Sequence, residues 1–240
     1  AKKIKFKRLL LKLSGEALEG KQSFGICPEV LNYISNEIKE LNNIGVGIAV
    51  VIGGGNIFRG LAGSSKGMDR NMADHMGMLA TMINSVALCE NLLRIGCPSE
   101  VYSAVQMTEI AERFSAKKVK ESLAAGKVAI LGAGTGHPFF TTDTTAALRA
   151  LEIGADIMVK ATKVDGIYDK DPVKYKDAVK FDEITYSEVL KRKLQVMDLT
   201  AVSLSMDNNL PILVLDMNKK GNIKRAVLGE KIGTIVIPDK

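Results

Sequence analysis

LLLKLSGEAL, Leu9 to Leu18, runs a continuous apolar strand into a lysine, a serine and a glycine. A strand without polar alternation belongs inside a parallel sheet whose two faces are both covered by helices. The same order repeats outward from it. A helix-period segment near Pro28 to Leu41 leads to GIAVVI, and a long helix then runs through DHMGMLATMINSVALCENLL. EVYSA, VAIL, DIMVKA, PILVLD and GTIVI supply further strands, separated by lengths that fit crossover helices. The expected architecture is α/β: a three-layer αβα sandwich with a mainly parallel central sheet, in one domain over residues 1–240.

Glycine falls just beyond the carboxyl ends of strands, where such sheets bind ligands. Gly15 follows the first strand, Gly53, Gly54 and Gly55 the second, and Gly132, Gly134 and Gly136 follow VAIL. Turns of this kind let backbone N–H groups approach an anion, and the following helix adds its positive end. Lys12 at the strand mouth can bridge phosphate oxygens, while Gly15 lets a ligand lie against bare backbone. The common nucleotide motifs are absent, since GGGNIFRG and GAGTGHP both miss the G-x-G-x-x-G spacing and there is no P-loop. GSSKG, Gly63 to Gly67, fits the spacing of a nucleophile elbow, but no apolar strand precedes it and it reads as a loop.

Composition narrows the partners. Hydrophobic residues make up 46% and charged residues 25%, the balance of a soluble globular chain. The net charge of +6 has one dense basic run, Lys2, Lys3, Lys5, Lys7 and Arg8, which reads as a solvated face, so nucleic acid is not an expected partner. Cys27, Cys89 and Cys97 have no C-x-x-C spacing and only His75 and His137 occur, which suggests buried thiols rather than disulfides or zinc. A metal, where one is used, should be magnesium carried with a phosphate. No apolar run reaches the roughly 18 residues that cross a bilayer, and AKKIKFKR lacks the core of a signal peptide, so no membrane partner and a cytoplasmic location are expected.

Taken together, LLLKLSGEAL, VVIGGGNIFRG, DHMGMLATMINS, GTGHPFFTTD, KATKVDGIYDKDP and VMDLTA resemble the bacterial uridylate (UMP) kinases of the amino acid kinase family, in order and over nearly the whole chain. The resemblance implies an amino acid kinase-like fold, with roughly residues 1–150 binding UMP and phosphate and roughly 151–240 binding ATP. It implies transfer of the γ-phosphoryl group of ATP to UMP, giving UDP and ADP, with magnesium, in a cytoplasmic homohexamer of pyrimidine nucleotide synthesis. UTP and GTP are the effectors it suggests.

Residue by residue, the resemblance puts Lys12, Leu13, Ser14, Gly15 and Gly55 on the phosphates of ATP. Gly54 and Arg59 close the groove between the substrates. Thr162, Tyr168 and Asp171 cover adenine and its ribose. Asp74 matches the position that accepts from the ribose hydroxyls of UMP; by itself it reads equally as an acid favoured by a helix N-terminus. Thr135, Gly136, His137, Pro138, Phe139, Phe140, Thr141 and Thr142 match the loop holding uracil and the UMP phosphate. His137 stands where the family more usually has asparagine, and Phe139 and Phe140 also read as core. Lys160 repeats Lys12 on a second strand, Asp143 would hold both lysines, and Asp198 is an acid near the same place. For both aspartates, helix N-capping is the simpler local reading. No metal ligands are assigned, because the ion can ride on ATP oxygens and water. Two other readings stand beside this one: a family member phosphorylating a carboxylate, and a non-catalytic nucleotide-sensing or nucleic-acid-binding module.

Overall fold

The apolar strand Arg8–Leu13 (β1) lies at the centre of the sheet, with Gly47–Ile52 (β2) parallel on one side and Ile157–Thr162 (β6) parallel on the other. The computed structural model describes residues 4–58 and 67–239. Outward from β2 come Val128–Gly132 (β5), Ser99–Ser103 (β3) and Glu112–Arg113 (β4). Outward from β6 come Ile212–Asp216 (β8), Thr234–Ile237 (β9) and Glu183–Thr185 (β7). Only the β8–β9 pair is antiparallel among those described.

Alternation along β1 feeds two cores. Leu9, Leu11 and Leu13 join the layer formed by Pro28–Asn43 (α1), Arg70–Arg94 (α2) and Asn222–Val227 (α7). Leu10 joins the opposite layer, built from Ala116–Ala124 (α3), Thr142–Ile153 (α4), Tyr186–Lys191 (α5) and Leu199–Asp207 (α6). The three-layer αβα sandwich expected from the sequence is the observed one. Lys12, two residues beyond Leu10, therefore exits toward the α4 layer.

The strands β4 and β7 were not foreseen, because two and three residues are too short to carry a period. The helix α2 differs in another way. Its 25 residues are long and apolar enough by composition alone to cross a membrane, contrary to the expectation that no segment is. Over half of its most apolar window, 56%, is buried inside the fold.

One pairing inside this core fixes the turn after β2. Asn56, in that turn, and Asn84, on α2, exchange reciprocal amide hydrogen bonds of 3.0 and 2.7 Å. Asn84 also donates to Gly53 O at 2.7 Å and Asn56 to Gly25 O at 2.8 Å. Both side chains are buried, so each amide depends on the other. Asn84→Ala should lower the unfolding free energy by about 1–3 kcal/mol, because Asn56 keeps a buried amide with fewer partners. Urea denaturation checks this; a loss of only a few tenths would mean that water replaces the pair.

Candidate active site

Lys12 and Lys160 are direct register partners on β1 and β6, so their side chains leave the sheet side by side on one face. Two adjacent ammonium groups repel, and the fold answers with one carboxylate. Asp143, in the first turn of α4, meets Lys12 Nζ through Oδ1 at 2.6 Å and Lys160 Nζ through Oδ2 at 2.9 Å. Lys160 Nζ also donates to the carbonyl of Val196 at 2.5 Å. Burial by itself would push the Asp143 carboxyl up, but the two ammonium groups outweigh it and hold the carboxyl below its usual range.

Helix capping separates the two aspartates. The N-cap of α4 is Thr141, whose hydroxyl accepts from Thr144 N–H at 3.1 Å, so Asp143 is not a cap and its local reading is corrected. Asp198 does cap α6, accepting from Ala201 N–H at 3.0 Å. Its two oxygens also take the hydroxyls of Thr141 and Thr144, which ties the start of α6 to the start of α4.

Gly15 and Gly54 lie tight against other parts of the protein. A Cβ on Gly15 would sit 2.6 Å from Gly55 N and 2.8 Å from Gly53 O, so Gly15 is bare because the turn after β2 lies on it. The side-chain face of Gly15 is thus filled by protein. A Cβ on Gly54 would lie 2.7 Å from Ala80 Cβ, so this glycine lets the turn sit against α2. Leu13 is fully buried and its carbonyl accepts from Gly53 N–H, leaving its side chain in the core.

Two clefts lie near this cluster: one reaches Thr141 and Thr142, next to Asp143 in the chain, and the other reaches Lys160. One, of about 410 Å³, is lined by Gly54, Asp74, Thr135, His137, Phe140 and Thr142, among others. In it Asp74 accepts from Arg70 Nε at 2.9 Å on each oxygen and from Phe139 N–H at 2.8 Å. Gly136 and Pro138 belong to the same loop, and Phe139 and Phe140 are 64% and 53% exposed, which overturns their reading as core. The other cleft, of about 640 Å³, is lined by Lys160, Thr162, Gly166, Tyr168, Asp171 and Val196, among others. Tyr168 donates to Asp165 at 2.6 Å, and Asp171 accepts from Val173 N–H at 2.9 Å. Ser14 lines a smaller hollow beside this region together with Thr162 and Lys163. Arg59 and most of the segment Gly63 to Gly67 lie outside the described residues.

A family model described as the amino acid kinase family matches residues 7–216. The chain belongs to the amino acid kinase family. Within this family it is similar to solved structures of UMP kinases. With that of Bacillus anthracis it shares 36% identity at a TM-score of 0.95, over 98% of this chain and 97% of that one. The Ureaplasma parvum UMP kinase gives 36% identity and 0.91, over 96% and 98%. The uridylate kinase of Archaeoglobus fulgidus gives 27% and 0.72, over 95% and 99%.

Sequence reasoning had no role for Arg70, Thr144 or the Val196 carbonyl. The i,i+4 spacing of Arg70 and Asp74 was the one readable signal among them. Because the folded-state carboxyl of Asp143 lies below the ordinary value of 3.8, its stabilising contribution is present above that value and lost as pH falls through the lower one. Asp143→Asn should therefore flatten the acid limb of the stability curve. Urea midpoints from about pH 7 down to about pH 2 check this, and an unchanged limb would place the acid-sensitive group elsewhere.

Proposed function

We propose that this family member is a UMP kinase, transferring the γ-phosphoryl group of ATP to UMP and releasing UDP and ADP. The observation that carries the reading is the convergence of Lys12 and Lys160 on Asp143, with Lys160 on the wall of one cleft and Thr141 and Thr142 on the wall of the other. The likeness to solved UMP kinases over nearly the full chain points the same way. UMP would occupy the cleft of Asp74 and Thr135, and ATP the cleft of Thr162, Tyr168 and Asp171.

Phosphoryl transfer asks chiefly for alignment and for positive charge on the equatorial oxygens. An oxygen of the UMP phosphate attacks the γ-phosphorus, the bond to the bridging oxygen breaks, and that oxygen leaves with ADP. The acceptor phosphate is largely dianionic at neutral pH, with a second pKa of about 6, so no strong base is needed. Lys12 and Lys160 supply the charge. Asp143, paired with both lysines and held ionised, aims them and is a poor proton acceptor. Asp198 fixes where α4 and α6 begin and so supports Asp143 from outside. Asp74 keeps one position for a ribose hydroxyl: of its roughly four acceptor positions, three are filled by Arg70 and Phe139 N–H. Magnesium would enter on the ATP oxygens, because Asp143 and Asp198 are both committed to protein donors.

The same reading carries a cytoplasmic homo-oligomer, a hexamer by resemblance, with UTP and GTP as effectors. The homo-oligomer is supported by a stripe on the outer face of α2: Met72, Met76, Leu79, Ile83 and Val86 are exposed at three- and four-residue spacing, and Leu93 two turns further on.

Lys12→Met should lower kcat about 10²–10³-fold with the fold retained, as Lys160 still pairs Asp143. Asp74→Asn should raise the KM for UMP more than it lowers kcat. A coupled assay of ADP release with UMP, CMP, aspartate and N-acetylglutamate as acceptors reads both; turnover on a carboxylate alone, or full activity of Lys12→Met, would overturn the assignment. Separately, Ile83→Glu should shift the protein to smaller species in sedimentation velocity, because a buried unpaired carboxylate opposes packing of a second copy.

A further inference from the structure

The loop after β5 is held in a backbone conformation that its sequence does not favour. Ala133 and Gly134 are consecutive left-handed residues at φ 60° and 59°. For glycine this is easy, whereas an alanine persists there only when its surroundings over-determine it. Ala133 is also fully buried.

Two buried side chains, one from each helical layer, supply that constraint. Thr81, on α2, accepts from Ala133 N–H at 2.9 Å, and its own proton goes to Met78 O at 2.6 Å. The hydroxyl's donor is thus spent within the helix and a lone pair is left aimed at the loop. Arg149, on α4, donates through Nη2 to Gly134 O at 3.2 Å. Its guanidinium is itself fixed, by Glu152 at 2.7 Å through Nη1 and by the Phe114 ring, 3.8 Å away at its centroid. The N–H entering the strained pair and the carbonyl leaving it are therefore both pinned, from opposite faces of the sheet.

Gly134, and Thr135 and His137 after it, line the cleft given above to the acceptor, and Thr81 itself reaches the wall of that cleft. We propose that Thr81 and Arg149 are positioning residues for this loop, and that together they set how well it discriminates the base of a pyrimidine nucleoside monophosphate. The inference rests on the UMP kinase reading. The backbone of a recognition loop can read a base edge only when its amides and carbonyls are fixed, and a hydroxyl–guanidinium clamp fixes them without touching the reacting atoms.

Thr81→Val keeps the shape and removes the acceptor, leaving Ala133 N–H buried and unpaired. It should raise the KM for UMP about tenfold and narrow the preference for UMP over CMP, while kcat and the KM for ATP move less than twofold. Thr81→Ser should restore wild-type values, because it returns the hydroxyl. Arg149→Lys, which keeps a cation but loses the rigid fork, should move the same parameters in the same direction and decides the matter where Thr81→Val folds poorly. A rise in both substrates' KM together, no change in either, or failure of serine to rescue would overturn the proposal. The wild-type chain is assayed alongside. No UDP formed from UMP by it would overturn the functional reading instead, and the clamp is then judged by the same KM comparison on the acceptor it does phosphorylate.

Discussion

A single carboxylate between two ammonium groups organises this molecule. Parallel pairing of β1 with β6 puts Lys12 opposite Lys160, and neither could stay beside the other without Asp143. The arrangement requires that α4 start at the correct height above the sheet. That height is set by Thr141 as its cap and by Asp198, which reaches from the start of α6 to two threonines of α4. Charge neutralisation at the centre thus depends on hydroxyl contacts one layer out. A neutral partner would leave two like charges a few ångströms apart in a partly dry place, where their repulsion exceeds its value in water severalfold.

The turns around this centre obey a different constraint, close approach. Gly15 and Gly54 are glycines because another piece of protein occupies the space of a side chain, and the Asn56–Asn84 pair holds that contact in register. Anion-binding turns and tightly packed turns use the same residue for different reasons. The amide groups available to a phosphate are whatever this packing leaves exposed.

Much of the architecture was legible in the chain. Apolar runs located each of the longer strands to within a residue or two, since fully buried strands carry no competing signal. Lysines at two strand exits pointed to a common purpose, and the strand register brought them together. The carboxylate that joins them was harder to read, because an aspartate beside threonines looks like a cap until the helix start is known to be Thr141. Asn56 and Asn84 gave no hint: two amides 28 residues apart look like ordinary polar positions unless the fold closes them on each other. Phe139 and Phe140 misled for the opposite reason, being large apolar groups that the loop turns toward solvent.

The helix α2 has two working faces on one stiff rod. Asp74 and Asn84 look inward, toward the cleft of Thr135 and the glycine turn, while Met76, Leu79 and Ile83 look outward. Twenty-five residues extend about 37 Å in one unbroken helix. A few degrees of rotation of this helix would displace the Asp74 carboxylate and the turn after β2 in concert. Whatever packs on the exposed stripe would therefore bear on the same helix that carries Asp74 and Asn84.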